Sequence, residues 1–276
     1  MEGEHEIPIR RILVALDASP SSLIALNAAA DLAVALGIEL NGLFVEELNL
    51  LRVADLPFAR ALGTFSGRPQ PLERRRLERE LRMEASRARN ALEAVAKREL
   101  LRWSFQVARG MVTPEILAAV SDASLIVLGR AGWSGSYLGS TARAVAVSAP
   151  SSTLIVGQEA SSGSTIIVLY GGSPLSERAL ALAASLARKR QITVLIPTDE
   201  SQDPRALVDG AKKRLVDRGI SANYVEYHSD DLSALVQVVN REDAGLLLLP
   251  GDSSATQDAA LVALVEEIGC AILLVR

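Results

Sequence analysis

The chain repeats itself. Residues 12–33 read ILVALDASPSSLIALNAAADLA and residues 166–187 read IIVLYGGSPLSERALALAASLA; at this offset 11 of the 22 aligned positions are identical. Each copy is a short apolar run, a turn carrying Ser-Pro, and an Ala/Leu-rich stretch with helical spacing. The copies also end alike, ASLIVLG (123–129) matching AGLLLLP (244–250) and TLIV (153–156) matching ILLV (272–275). Within 276 residues this leaves room for two similar units, each large enough to bury its own core. The first unit is longer, and the excess falls at about 47–72, directly after its second strand.

Strand and helix signals alternate along both copies. Strands are predicted near 11–16, 38–45, 102–108, 124–129 and 152–157, then near 164–170, 191–197, 221–228, 244–250 and 270–275. Runs such as SLIVLG and LLLLP are apolar throughout, which suits parallel strands covered on both faces by helices. LRWSFQVA (101–108) alternates instead, as a half-exposed edge strand does. The expected fold class is α/β, built from right-handed βαβ units: two domains, 1–160 and 161–276, joined by the small polar stretch GQEASSGST.

Charge and composition remove several classes of function. The formal net charge is -4, so no global basic field draws the chain to nucleic acid or anionic lipid. One cysteine, Cys270, forms no internal disulfide, and two histidines leave no ordinary Cys/His zinc cluster. The start is polar and the apolar runs are too short to span a bilayer, so a soluble, cytoplasmic protein is expected.

In open α/β sheets ligands sit beyond the carboxyl ends of the strands, where strand order reverses. That rule selects two loops of the first copy. After the first strand stands Asp17-Ala18-Ser19-Pro20, and after the fourth comes GRAGWSGSYLGSTARAV (129–145). In the latter, Gly129 and Gly132 leave amides uncovered, and Gly139-Ser140-Thr141 opens a helix whose free N–H groups and dipole favour a phosphate. Arg130 or Arg143 is a candidate to add charge, and Trp133 either stacks on a base or pins the loop. Asp17 has two readings: a hydrogen-bond acceptor for a nucleoside, or a cap for the helix that begins near Pro20.

These residues resemble the universal stress protein family in its tandem form. The resemblance rests on ILVALDASPSSLIAL, on GMVTPEILAAVSDASLIVLGRAG and on LGSTARAVAVSAPSSTLIV, and covers nearly the whole chain in two copies. It implies two Rossmann-like domains of the HUP type, each a five-stranded parallel sheet with helices on both faces, paired through their last strands. It also implies ATP binding, with magnesium as a possible companion. On that similarity Asp17 contacts the nucleoside, Val45 presents backbone to adenine, and Ala15 and Leu128 line the base pocket. Gly129, Arg130, Gly132, Gly139, Ser140 and Thr141 hold ribose and phosphates. The family motif has nine residues between its second and third glycines; here six, 133–138, separate Gly132 from Gly139.

The second copy departs from this pattern. Gly171 stands where the first has Asp17, and Pro250 replaces Gly129. Asp252 and Asp258 would repel phosphate if they faced the crevice. The second copy is therefore expected not to bind ATP, and to pair with the first within one chain.

The arginine-rich stretch 71–100 has Leu77, Leu81, Ala85, Ala88, Leu92 and Val95 at helical spacing, as an amphipathic helix with a solvated charged face does. The insertion LNLLRVADLPFARALGTF admits a lid over the crevice, a dimer interface, or packing on its own core. His228 is expected at the surface and Cys270 buried. The functional expectation is an adenine-nucleotide-dependent interaction switch acting on an unidentified protein partner, without rapid hydrolysis, with a homodimer as one admitted assembly. A scaffold of the same fold that binds no nucleotide is the alternative, with an ATP-using enzyme of a related α/β class behind it.

Overall fold

The computed structural model describes residues 9–56, 58–62, 69–120, 124–131, 138–157, 163–187, 190–198, 203–228 and 232–276. The first half opens with β1 (Arg11–Ala15), α1 (Pro20–Leu36) and β2 (Glu39–Glu47). The inserted segment follows as α2 (Leu48–Ala54), β3 (Arg60–Leu62) and β4 (Pro69–Pro71). Then come α3 (Arg74–Arg98), β5 (Trp103–Gly110), α4 (Val112–Ala118), β6 (Ser124–Gly129), α5 (Ser140–Ser148) and β7 (Thr153–Val156). The second half runs β8 (Thr165–Leu169), α6 (Pro174–Ala187), β9 (Gln191–Thr198), α7 (Pro204–Val216) and β10 (Ala222–His228). It closes with α8 (Leu232–Arg241), β11 (Ala244–Pro250), α9 (Asp258–Glu267) and β12 (Ala271–Val275).

Ten strands form one sheet in the order β10-β9-β8-β11-β12-β7-β6-β1-β2-β5. Neighbours are parallel except at the centre, where β12 and β7 pair antiparallel with Ile272 opposite Ile155 and Leu273 opposite Leu154. Each half thus has the same internal order, reversing direction between its first and fourth strands, β1 and β6 or β8 and β11. The continuous apolar runs have their explanation here: β7, β8 and β12 are buried at every residue, with helices on both faces. The alternating run became β5, which sits at the sheet edge with Trp103 and Phe105 half-buried.

Side-chain alternation along the strands separates the two faces. Ile12 and Val14 of β1 enter one core with Leu26 of α1, Leu92 of α3, Leu180 of α6 and Leu215 of α7. That core is continuous across both halves. On the opposite face Leu13 joins Ile116 of α4 and Val145 of α5, while Ile167 joins Leu235 of α8 and Leu264 of α9. The halves therefore share one packed layer as well as a strand ladder.

The arginine-rich stretch is α3. Leu81, Ala85, Ala88, Leu92 and Val95 are buried, and Arg74–Glu78 and Arg76–Glu80 form ion pairs one turn apart on the outer face. In the insertion, Leu51 of α2 is buried in the same core as Leu81 and Ala85. The described part of the insertion packs on its own domain, and none of its described residues reaches the crevice described below. Among the described residues, no helix is long and apolar enough to cross a membrane.

Candidate functional site

At the reversal between β1 and β6 the sheet opens into a cleft of about 270 Å³. Its floor is apolar, made by Ala15, Leu43, Val45 and Leu128, with Val112 and Ile116 of α4 as one wall. Asp17 stands at the mouth, and Gly139, Ser140 and Thr141 close the far end. Eight of the ten residues named from the sequence line this one space; Arg130 and Gly132 do not appear in its described lining.

The turn after β1 is held by three side chains. One carboxylate oxygen of Asp17 accepts from the Ser19 amide at 2.9 Å. Ser19 caps α1, its hydroxyl accepting from the Ser22 amide at 3.2 Å, and the Ser22 hydroxyl donates back to the Ser19 carbonyl at 3.0 Å. The helix cap is thus Ser19, and Asp17 braces the approach to it. Ala18 between them is left-handed, φ 59°, a conformation that costs a side-chain-bearing residue about 1–2 kcal/mol. The second half builds the same turn with other residues. Gly172 takes the left-handed position at φ 74°, and Ser173 caps α6 through the Ser176 amide at 3.1 Å. Gly171 stands at the Asp17 position, so the turn forms without a carboxylate there.

Val45 owes its place to the ladder. The β1–β2 pairing ends with Ala15 opposite Leu43, and the Leu16 amide donates to the Leu43 carbonyl at 2.8 Å. Two residues on, Val45 presents its own N–H and C=O on the same side, beyond the end of β1 and into the cleft. In the second half the Tyr170 amide donates to the Leu195 carbonyl at 2.9 Å, which puts Pro197 in the Val45 position. Proline has no N–H to present.

Gly129 is a packing glycine. A Cβ there would lie 2.4 Å from the Ser21 hydroxyl and 2.8 Å from the Ser21 carbonyl, so only glycine lets the first turn of α1 approach the end of β6. The loop that follows is closed at its base, with the Gly139 amide donating to the Arg130 carbonyl at 2.8 Å. Gly139 is the N-cap of α5 and supplies no side-chain cap. The amides of the first helical turn and the hydroxyls of Ser140 and Thr141 are left to face the cleft with the positive end of the helix dipole. Gly132 and Trp133 lie outside the described residues.

The two arginines named as phosphate candidates go elsewhere. Arg130 donates from Nη1 to the carbonyls of Val265 at 2.9 Å and Ile268 at 3.4 Å, at the end of α9 in the other half. Its guanidinium therefore lies at the end of α9, and Arg130 is not in the described lining of the cleft. Arg143 makes a two-pronged pair with Asp258, Nε to Oδ1 at 2.9 Å and Nη2 to Oδ2 at 2.7 Å. Asp258 is therefore paired across the seam. Nothing in the local sequence marked these contacts, because both partners lie more than a hundred residues away.

The second half offers a different space at the equivalent place. Tyr170 replaces Leu16 and is buried, its hydroxyl donating to Glu177 Oε1 at 2.8 Å; burial and that bond push its pKa up to about 12. Leu207 of α7 packs over the Gly172 turn, within 2.8 Å of where a Cβ would sit. Cys270 is buried and its thiol pushed up to about 12 by desolvation, as an inert core thiol is. His228 is at the surface, its Nδ1 2.9 Å from the Thr198 hydroxyl. Among the described residues there is no cluster of three or more metal-ligating side chains.

Comparison with known proteins places this architecture. Residues 8–157 match the model of the universal stress protein family. Universal stress proteins of Mycobacterium tuberculosis are 27% identical over 223 residues, covering 78% of this chain and 75% of theirs. A crystal structure of a universal stress protein from Archaeoglobus fulgidus superposes with a TM-score of 0.72 at 16% identity, over 96% of this chain and 98% of that one. A putative universal stress protein from Pseudomonas aeruginosa gives 0.58 at 16% identity, over 97% and 93%. With the repeated α/β architecture and a family match over more than half of its length, the chain belongs to the universal stress protein family.

Proposed function

We propose that the first half binds an adenine nucleotide in the β1–β6 cleft, and that occupancy sets how the protein engages a partner protein. The observation that carries this reading is the comparison of the two turns. The second half forms the same turn with Gly171 and with Gly172 in the left-handed place, so the turn as such does not call for a carboxylate, and in the first half only one oxygen of Asp17 is used in bracing it. An exposed carboxylate that the fold can do without, at the mouth of a cleft, is a ligand group: its second oxygen accepts from a ribose hydroxyl. The N–H and C=O of Val45 offer a donor and an acceptor side by side to the edge of an adenine ring, which carries the complementary pair. The apolar floor covers the faces of the base, and the start of α5 receives phosphate. ATP, with or without magnesium, is the ligand that the family resemblance implies.

The second half lacks two of these elements, with Gly171 for Asp17 and Pro197 for Val45, and Pro250 stands where the first half has Gly129. Its role in this reading is to pair with the first half and carry the response outward. A switch of this kind requires that the partner-competent conformation bind the nucleotide more tightly than the alternative one does.

The test is the melting temperature with and without adenine nucleotides at millimolar concentration, since binding to the folded state raises it. The native protein should shift upward. Asp17→Ala should lose the shift while keeping its own melting temperature within a few degrees, because the turn survives without the carboxylate; Ser140→Ala should weaken it. No shift in the native protein would favour a scaffold that binds no nucleotide.

A further inference from the structure

We propose that the flank of α3 turned away from α1 is a docking surface for an acidic helix of a partner protein, engaged through a row of arginines. The surface stands apart from the β1–β6 cleft, and its test does not depend on nucleotide binding.

α3 holds nine basic and four acidic residues, a local charge of +5 in a chain whose net charge is -4, so everything outside it sums to -9. Arg75, Arg79, Arg82, Ser86 and Arg89 follow one another at steps of four, three, four and three residues. That spacing lines them up along one side of a helix, over about 21 Å. All five are exposed. Arg98, which reaches Asn27 of α1 at 3.3 Å, falls on the other flank by the same periodicity, so the row faces away from α1. Among the described residues Arg75, Arg79 and Arg89 make no ion pair, and Arg82 approaches Glu78 only to 3.9 Å. The row ends at Glu93, which Lys97 takes at 2.6 Å.

A merely solvated helix face alternates in sign, as the other flank does where Arg76 pairs with Glu80 at 2.9 Å one turn on. The row instead stacks like charges one turn apart, Arg75 against Arg79 and Arg79 against Arg82, which destabilises a helix. It also begins at the wrong end. Arg75 lies in the first turn of α3, where there is no acidic residue and no side-chain cap, so its charge opposes the helix dipole. Two unfavourable arrangements on one surface mark a feature that folding does not ask for. An anionic partner relieves both.

Three observations choose the partner. Every cation from 74 to 89 is an arginine, whose planar fork pairs two-pronged with a carboxylate or phosphate. Met83, one turn on from Arg79, is exposed, and arginine with methionine is the composition of protein interfaces. The -9 carried by the rest of the chain repels a bilayer or a duplex, which extends past α3, whereas a single helix meets the row alone. Carboxylates at the same four-three spacing on that helix match the row along its length. A second copy of this chain does not supply them: α9 carries Asp258, Glu266 and Glu267, of which the first is taken by Arg143 and the other two are adjacent residues.

The experiment is fluorescence anisotropy of the full-length protein with a labelled, capped, alanine-based helical peptide of about 20 residues carrying glutamates at four-three spacing. This peptide should bind at least about fivefold more tightly than an isomer with its glutamates spread around the helix, and the difference should shrink as salt rises. Arg79→Gln together with Arg82→Gln should erase most of the difference without lowering the melting temperature, since the row repels itself. Arg76→Gln, on the other flank, should leave it within about twofold. Equal binding of the two peptides, or a preference that survives the double substitution, would overturn the proposal. Vesicles of phosphatidylcholine and phosphatidylglycerol in equal parts are the second probe. Retention on them that the double substitution abolishes, with no preference between the peptides, would assign the row to lipid and overturn it as well.

Discussion

Arg130 and Arg276 are crossed, each reaching over the seam to cap the last helix of the other half. Arg130 donates to the carbonyls of Val265 and Ile268 at the end of α9. Arg276 donates to the carbonyls of Ala146, Val147 and Ala149 at the end of α5. The two arginines are not equivalent positions. Arg130 follows the fourth strand of its half, and Gly251 occupies that place in the other; Arg276 follows the fifth strand, where the first half has Gly157. Gly251 leaves room for the arginine beside it, while Gly157 is in ordinary contact range of Arg130. A Cβ on Gly251 would meet Arg276 at 3.3 Å, and one on Gly157 would come within 3.9 Å of Arg130.

Both guanidiniums satisfy orphan carbonyls at the negative end of a helix dipole, in a partly desolvated seam. Arg130→Ala and Arg276→Ala should each lower unfolding free energy by about 1.5–3 kcal/mol, the range for hydrogen bonds to charged groups. Urea denaturation reads this directly. A loss below about 0.5 kcal/mol in both variants would mean that the seam is held by the β7–β12 ladder and shared core alone.

The left-handed residue at the mouth of the cleft gives a prediction of opposite sign. Ala18 at φ 59° carries a cost that Gly172 at φ 74° avoids. Ala18→Gly relieves about 1–2 kcal/mol of strain and loses about 0.4–1 kcal/mol to unfolded-state entropy. The net should be a gain of about 0.5–1 kcal/mol. Gly172→Ala should cost more than its mirror gains, because the new Cβ also meets Leu207 at 2.8 Å. Thermal melts of the two variants check the pair, and equal or same-sign shifts would contradict it.

How much of this was legible beforehand follows from how local each feature is. The repeat, the buried strands and the edge strand were readable, because apolar runs and alternation report burial directly: β12 is apolar throughout, β7 is apolar after Thr153, and β5 alternates. The convergence of Asp17, Val45, Leu128 and Ser140 on one cleft was readable only with the family resemblance and the rule for open sheets, since those residues come from four separate segments. Gly129 was read as freeing amides for a ligand, yet its glycine is required by Ser21, a neighbour 108 positions earlier. The partners of Arg130 and Arg143 were hidden for the same reason. A guanidinium near a phosphate loop suggests phosphate, and its actual partners on α9 become neighbours only once the halves dock. Nor did the sequence suggest the short β3–β4 pairing in the insertion.

Alkaline stability should follow two tyrosines. Burial pushes both Tyr170 and Tyr227 to about 12, with the bond to Glu177 adding to it in Tyr170. The ordinary phenol titrates near 10. Above that pH the unfolded chain releases these protons while the native state retains them, so their contribution is complete below about pH 10 and is lost progressively between about 10 and 12. Absorbance at 295 nm and far-ultraviolet dichroism should therefore change together across that window, and Tyr227→Phe should make the decline shallower. Full tyrosine ionisation near pH 10 with the dichroism intact would show that these hydroxyls reach solvent.

The contact between Gly129 and Ser21 ties the stability of the fold to the shape of the cleft. A Cβ at residue 129 would sit 2.4 Å from the Ser21 hydroxyl, which can rotate, and 2.8 Å from the carbonyl carbon and oxygen of Ser21, which cannot. Gly129→Ala must therefore push the first turn of α1 off the end of β6, at about 1–3 kcal/mol for overpacking. That turn carries Ser19 and follows Asp17, so the mouth of the cleft moves with it. The variant should melt lower and lose most of its nucleotide-induced shift. Adding Ser21→Gly removes the hydroxyl but not the backbone contact, and should restore only part of the stability. Full restoration would show that the collision is with the hydroxyl alone, and that the backbone of α1 has room to spare beside β6.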